Sequence, residues 1–286
     1  MMLTGKGRIA GIIGWPVMHS VSPVLHGYWL AEHGIDGAMV PFAVKAEDFA
    51  AVIDGLRRAG CVGVNVTVPH KQAAFALAEV LDLAARDAGA VNLLIFRDGR
   101  IEGRNTDSIG LSESLRESLG NGALAGKTAV LLGAGGAARG AVLALESQGA
   151  ARIHLLARDG GRAKRLAVAL APLVRAELLP GDLTEWNKTA AQAALLVNAT
   201  SAGMKGNPPL DLDLGPLPRD AAVCDIVYNP LETELLGQAA ARGHKTIDGL
   251  GMLMHQAVPS FEAFFGVRPK VTQKLRAALV EALGER

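Results

Sequence analysis

The chain has 286 residues, half of them hydrophobic and 4% aromatic, with a formal net charge of +1. That length can bury two cores, while the balanced charge, without a basic block, argues against a nucleic-acid partner. No apolar run reaches transmembrane length, and two isolated cysteines, Cys61 and Cys224, make neither a disulfide framework nor a metal knuckle.

The pattern is that of an α/β protein, and the lone thiols fit a reducing, cytoplasmic compartment. Both cysteines lie in strand-like apolar runs. Arg8–Gly14 reads as the first strand. Ser22 is placed to cap a helix with Pro23 at its first position, and Gly34 to stop it. Met39–Val44 is a second strand and Glu47–Ala59 an amphipathic helix with acids in its first turn. Val62–Thr67 is a third strand, broken by Pro69, and Lys71–Leu83 is an Ala-rich helix. Asp98-Gly99, between Val91–Phe96 and Arg100–Glu102, signals a hairpin. Residues 1–107 are therefore expected to form a domain with a mixed sheet. Asp107 caps the next helix, with Leu111, Leu115 and Leu119 on one face.

The stretch KTAVLLGAGGAARG, Lys127–Gly140, follows. A short buried strand runs into Gly133-Ala134-Gly135-Gly136-Ala137-Ala138, and a helical pattern continues from there. This is the G-x-G-x-x-A form of the dinucleotide fingerprint in its strand–turn–helix setting. Gly133 permits the tight turn, Gly135 lets the backbone approach a pyrophosphate, and Ala138 keeps helix and strand close. The helix's first amides face the anion. Arg152–Leu156, Glu177–Leu179, Leu195–Asn198 and Val223–Val227 are further strands, so residues 108–247 are expected to form a doubly wound, Rossmann-type domain. Leu250–Phe265 and the tail from Val271 read as helices, placed in a segment 248–286 that completes the first domain.

Four clusters ahead of the fingerprint carry chemistry. Ser20 and Ser22 at a helix N-terminus could hold a carboxylate, or serve only as cap and solvated hydroxyl. His19 and His26 lack the carboxylate or thiolate that would complete a metal set, so no metal is expected. Lys71 falls in a helix's first turn, where the dipole disfavours a cation and suits the amine to proton transfer; the plain alternative is a solvent-facing lysine. Asn92, in an apolar strand, needs a partner, either backbone or a ligand hydroxyl. Asp107 is explained fully as a cap, or pairs with Lys71. On the nucleotide side Ala157 stands where an NAD site would place an acid. Arg158, with Arg162 and Arg165 behind it, could bind a 2′-phosphate, while Asp159 opposes it.

These motifs resemble those of the shikimate dehydrogenase family, in its order and over nearly the whole chain: GWPVMHSVSP (14–23), NVTVPHK (65–71), GAVN (89–92), GRNTD (103–107), GAGGAAR (133–139), NATSAGM (198–204), DIVYNP (225–230) and DGLGMLMHQA (248–257). The resemblance implies reversible NADP-dependent reduction of 3-dehydroshikimate to shikimate, on the route to chorismate and the aromatic amino acids. It implies Lys71 as acid/base with Asp107 coupled to it. Ser20 and Ser22 would bind the substrate carboxylate, and Thr67, Asn92, Asp107 and Gln256 its hydroxyls, with Tyr228 at the same end. Gly133, Ala134, Gly135, Gly136 and Ala137 would hold the pyrophosphate, and Ala157, Arg158, Asp159 and Arg162 the adenosine phosphate. Thr200, Ile226 and Gly249 would lie on the nicotinamide side, in a crevice between the domains.

Three positions depart from the family pattern: Ala157-Arg158-Asp159 where Asn-Arg-Thr is frequent, Leu93 where threonine commonly follows the asparagine, and Gly27 where asparagine is common. The first leaves NAD possible. The alternatives are an NAD-using quinate/shikimate dehydrogenase, a non-catalytic nucleotide-binding regulator, and another two-domain enzyme such as a folate dehydrogenase, which leaves Ser20, Ser22 and DGLGMLMHQA unexplained. The expected partner is a small-molecule substrate, with the chain a monomer or homodimer.

Overall fold

The structure, a computed structural model, describes residues 3–284 and divides into two compact units. The first comprises the described residues through Thr106 together with those from Gln256 onward, and the second runs from Asp107 to His255. Among the described residues no helix is long and apolar enough to cross a membrane.

The first unit opens with β1 (Arg8–Gly14), α1 (Ser22–Glu32), β2 (Gly37–Ala43), α2 (Phe49–Arg58), β3 (Gly63–Val66), α3 (Lys71–Leu77), β4 (Val80–Leu81), α4 (Leu83–Ala88), β5 (Leu93–Arg97) and β6 (Arg100–Arg104). Its six strands form one mixed sheet, ordered β2-β1-β3-β5-β6-β4. β1 is parallel to β2 and β3, whereas β5 is antiparallel to β3 and β6. This topology has a positional consequence. β1, β3 and β6 end, and β5 begins, at one edge of the sheet. Ile13, Val64, Val66 and Leu94 pack with Phe49 and Ile53 of α2 to close one face.

Several local expectations are corrected. The helix expected over residues 71–83 is two short helices with β4 between them. Val80 and Leu81 pair with Glu102 and Gly103 of β6, and the Asp82 carboxylate accepts the Ala85 N–H at 2.7 Å to cap α4. Tertiary pairing and a cap outweigh the helix propensity of alanine here. The acids before α2 lie in a separate 3-10 turn, Ala46–Asp48. Cys61 falls in the link between α2 and β3 rather than in a strand, and Asn92 immediately precedes β5.

The second unit contains α5 (Asp107–Leu119), β7 (Thr128–Leu132), α6 (Gly136–Ser147), β8 (Arg152–Ala157), α7 (Gly160–Leu170), β9 (Glu177–Asp182), α8 (Trp186–Ala190), β10 (Ala193–Asn198), β11 (Ala222–Asp225), α9 (Glu234–Ala241) and β12 (Lys245–Ile247). All six strands are parallel, in the order β9-β8-β7-β10-β11-β12. The order reverses between β7 and β10, which defines the switch point of a doubly wound sheet. Alternate residues feed two cores. Ala129 and Leu131 of β7 pack with Leu111, Leu115 and Leu145 on one face. Val130 and Leu132 pack with Trp186, Leu235 and Leu236 on the other. A strand covered on both faces reads as a continuous apolar run, which is why β7 was visible in the sequence. β12 was not: its three residues are a short edge with two exposed positions.

Two helices complete the chain, α10 (Gly249–Phe265), which begins in the second unit and ends in the first, and α11 (Gln273–Gly284). Phe261 of α10 meets Trp29 of α1 edge-on, with ring centroids 5.4 Å apart. Trp29 Nε1 donates to the Lys270 carbonyl at 3.1 Å, and Arg8 donates to the Phe265 carbonyl. His26 lies inside this cluster, 5.8 Å from Phe261, and its Nδ1 has no hydrogen-bond partner among the described residues.

Burial pushes the His26 imidazole from its ordinary 6.5 down to about 3. The folded state therefore keeps this histidine neutral while the unfolded chain takes up a proton below pH 6.5. The associated stability is fully present above that pH and is lost as pH falls toward 3. Between pH 7.5 and 5 the loss from this residue is about 2 kcal/mol. In urea unfolding, His26→Leu should be less pH-sensitive than the parent chain by that amount; parallel pH dependences would refute the assignment.

Candidate active site

The edge of the first sheet where β1, β3 and β6 end gathers most of the polar side chains singled out in the first unit. Beyond β1 the Trp15 N–H donates to the Val68 carbonyl at 3.0 Å, so the two loops leaving β1 and β3 run side by side. Ser20 follows on the first loop and Ser22 begins α1, and both are buried. Ser22 does not cap α1 through its side chain. Instead Ser20 Oγ accepts the Ser22 N–H at 3.2 Å and donates to Ser22 Oγ at 3.1 Å. The two hydroxyls are thus held together at the start of α1.

Thr67 follows β3, with its N–H bonded to the Ile13 carbonyl at 2.9 Å. His70 does not join the site chemistry: it stacks on Phe49 at 4.7 Å, and its Nε2 lies 2.7 Å from the Val44 carbonyl. Lys71 is the half-buried first residue of α3, and its carbonyl accepts the Val91 N–H at 3.0 Å. That bond ties the start of α3 to the residue before Asn92.

Asn92 finds its partners close to the hairpin. Its Oδ1 accepts the Thr106 N–H at 2.9 Å, and its Nδ2 donates to Thr106 Oγ1 at 2.9 Å and approaches Gln256 Oε1 at 3.4 Å. Asn65, on β3, was quoted within a motif but not singled out. Its side chain is buried and Nδ2 donates to Ser260 Oγ at 2.8 Å, while Oδ1 has no hydrogen-bond partner among the described residues. A buried amide oxygen without a partner is uncommon in a folded protein, and Asn65 Nδ2 also lies 3.5 Å from the Asn92 carbonyl.

The other assigned residues belong to the second unit. Asp107 begins α5 and is buried. Tyr228 follows β11 and is half-buried. At the switch point Gly133 has φ +116°, and a Cβ there would lie 3.0 Å from the Ala199 carbonyl oxygen, so only glycine serves. Ala134, Gly135, Gly136 and Ala137 follow. No side chain caps α6, and a Cβ at Gly135 or Gly136 would meet nothing within 4 Å. The result is an open backbone cradle whose first helical amides lack intrahelical acceptors, which fits a pyrophosphate. Thr200 is held by Asn198 Oδ1, which accepts its N–H at 3.0 Å and its hydroxyl at 2.7 Å. At Gly249 any Cβ would collide with the Ile226 carbonyl.

At the end of β8, Ala157 is buried and Arg158, Asp159 and Arg162 are exposed. Asp159 is the N-cap of α7: Oδ1 accepts the Gly161 and Arg162 N–H groups at 2.9 and 3.3 Å, and Oδ2 lies 3.8 Å from Arg165. Its charge is engaged by the helix. Among the described residues neither Arg158 nor Arg162 pairs with a carboxylate. Two guanidiniums with available donors suit a phosphate monoester. No three His, Cys, Asp or Glu side chains among the described residues are grouped to hold a metal.

Fold and site together define a two-unit α/β protein with a dinucleotide-binding sheet and a separate polar sheet edge carrying an amine. Residues 12–94 match the model of the shikimate dehydrogenase substrate binding domain. A Rhodospirillum rubrum protein named shikimate dehydrogenase (NADP(+)) is 52% identical, with 98% of this chain and 99% of that protein covered. Among solved structures, a shikimate dehydrogenase in complex with NADP+ superposes with a TM-score of 0.90 at 33% identity, covering 99% and 98% of the two chains. A quinate dehydrogenase from Corynebacterium glutamicum in complex with NAD gives 0.86 at 31% identity, covering 96% and 99%. The chain belongs to the shikimate dehydrogenase family.

Asn92→Leu removes the acceptor of the buried Thr106 N–H. It should lower unfolding free energy by about 1–3 kcal/mol; a unchanged urea midpoint would show that Thr106 has another acceptor.

Proposed function

We propose that the chain interconverts 3-dehydroshikimate and shikimate with NADP, and that Lys71 moves the proton. The observation that carries the reading is the sheet edge of the first unit. The elements that carry the paired hydroxyls of Ser20 and Ser22, the buried amides of Asn65 and Asn92, and Lys71 begin or end at that edge. In this reading the hydroxyls of Ser20 and Ser22 donate to the substrate carboxylate. Thr67, Asn92 and Gln256 pair with ring hydroxyls, and Tyr228 contributes at the same end of the substrate. Such pairing fixes the ring, and orientation is the larger part of what a protein adds to hydride transfer.

Held in the cradle after β7, NADPH would supply the hydride for the C3 carbonyl. As charge develops on the C3 oxygen, the Lys71 ammonium donates a proton to it. In the reverse direction the neutral amine takes that proton. Asp107 is the second catalytic candidate. Gly133 through Ala137 hold the pyrophosphate, and Thr200, Ile226 and Gly249 take the nicotinamide end. Arg158 and Arg162 bind the 2′-phosphate beside Ala157. The free thiols Cys61 and Cys224 are consistent with a cytoplasmic setting.

Two measurements test the reading. Lys71→Ala should lower kcat by roughly two to four orders of magnitude in a spectrophotometric assay with shikimate and NADP. Near-normal turnover would remove Lys71 from the chemistry, and parent protein that binds NADP without any shikimate-dependent absorbance change would favour a non-catalytic regulator.

The second measurement separates NADP from NAD use, which the NAD-bound quinate dehydrogenase keeps in view. Asp159→Asn keeps a capping acceptor and removes a negative charge. Calorimetric NADP affinity should rise several-fold, with NAD affinity unchanged. A tenfold loss of NAD affinity would instead mean that Asp159 binds the adenosine ribose, and comparable turnover with NAD and quinate would favour the rival enzyme.

A further inference from the structure

Asp225, the last residue of β11, is completely buried, and its carboxylate collects donors from three segments. Oδ1 accepts Asn198 Nδ2 and the Val227 N–H, each at 3.0 Å, and Oδ2 accepts the Thr233 hydroxyl at 2.8 Å. No role in the proposed reaction has so far been given to it, yet burying a carboxylate is costly without such compensation. Burial pushes its pKa up, and the three donors act against that rise.

The bonds lead outward in two directions. Through Asn198 they reach Thr200, whose N–H and hydroxyl both donate to Asn198 Oδ1. Thr200 in turn lies against the turn at Gly133, where an added Cβ would come within 3.2 Å of its Cγ2. Through Val227 they reach α10. The Val227 carbonyl accepts the Gly249 N–H at 3.2 Å, and the Ile226 carbonyl occupies the space that a Cβ at Gly249 would need. One carboxylate therefore sets the loop after β10, the loop after β11 and the start of α10. The third bond, to Thr233, is different in kind. Thr233 caps α9 by accepting the Leu236 N–H at 3.3 Å, and leads to no assigned residue.

We infer that Asp225 is a positioning residue that holds Thr200, Ile226 and Gly249 in register for the nicotinamide end of the dinucleotide. The inference rests on the NADP role proposed above. Asp225→Asn removes the charge that all three donors face. With Oδ1 kept toward Asn198 and Val227, its N–H meets the Thr233 hydroxyl, which must turn from donor to acceptor, and the bonds to Asn198 and Val227 weaken from charge-assisted to neutral, so the register relaxes. NADP affinity and kcat should each fall by roughly 10- to 100-fold, the size of effect produced when a distant change misplaces reacting groups, with the KM for shikimate unchanged. Thr233→Val removes only the bond toward α9; it should lower the melting temperature and leave kcat and both KM values as they were.

Exchanging the pair, Asn198→Asp with Asp225→Asn, restores the side-chain link but leaves the Val227 N–H facing an amide. NADP affinity and kcat should then recover to values between those of Asp225→Asn and the parent. Calorimetric NADP binding, thermal melting and steady-state kinetics read the three variants. A purely structural role predicts that Asp225→Asn, like Thr233→Val, lowers only the melting temperature, and that result overturns the inference; so does an exchanged pair no better than Asp225→Asn. Should Asp225→Asn not fold, the exchanged pair is compared with the parent, and an unchanged NADP affinity overturns it. Failure of the underlying reading looks different, because the parent protein itself would then bind no NADP.

Discussion

At the boundary of β7 and β10 the chain must turn away from the sheet in two directions, and the two turns are built against each other. Gly133 leaves β7 with a positive φ because the Ala199 carbonyl occupies the space beside it. Ala199 is itself tied to β7 through its N–H, which donates to the Leu132 carbonyl at 2.9 Å. Everything downstream depends on that crossing. It aims the amides of α6, it places Thr200 beside the fingerprint, and it leaves Asn198 at a buried strand end where its side chain must find partners. Parallel strands end with polar groups pointing past the sheet. In a unit covered on both faces those groups are satisfied by side chains from the neighbouring strand, here Asp225, or by a ligand.

The first unit reaches a similar result with a different topology. Its hairpin reverses the chain, so the residue before β5 meets the residues after β3 and β6 at one edge. Asn65 with Thr67, Asn92 and Thr106 come from three separate segments of the chain and share that edge because β5 is antiparallel to both neighbours. An all-parallel arrangement would have carried Asn92 to the opposite edge. The mixed sheet is therefore a condition for the polar cluster, and the aromatic packing of Trp29 and Phe261 on α1 and α10 holds the helices that bring Ser22 and Gln256 to it.

Features whose cause is local were legible from the residues. The fingerprint carries its own steric logic, and the hairpin is written in Asp98-Gly99. Buried strands β1 and β7 show as apolar runs. What failed was decided by partners far along the chain. β4 exists because β6 lies beside it, not because Val80 and Leu81 form strands alone. β12 has too few residues to show a period. Ser22 looked like a cap, and the structure gives that turn to Ser20. Asn65, Asn198 and Asp225 sat inside quoted motifs without being singled out, since a polar residue at a strand end differs from a solvated one only by what meets it across the sheet. Asn198 and Asp225 are 27 positions apart and reveal each other only through the register of β10 with β11.

Asp159 shows how the same letter changes meaning with geometry. An acid at the end of the second strand of such a sheet is ordinarily evidence for NAD, because a free carboxylate binds the ribose diol and repels a 2′-phosphate. That inference assumes free oxygens. Here one oxygen receives two amides of α7 and the other faces Arg165, so the carboxylate neutralises a helix dipole that would otherwise attract an anion. The arginines and the acid therefore do not compete for one ligand atom. The helix end is closed by the acid, and the exposed guanidiniums of Arg158 and Arg162, to which the proposed reading gives the 2′-phosphate, offer planar donors that do not depend on a helix terminus.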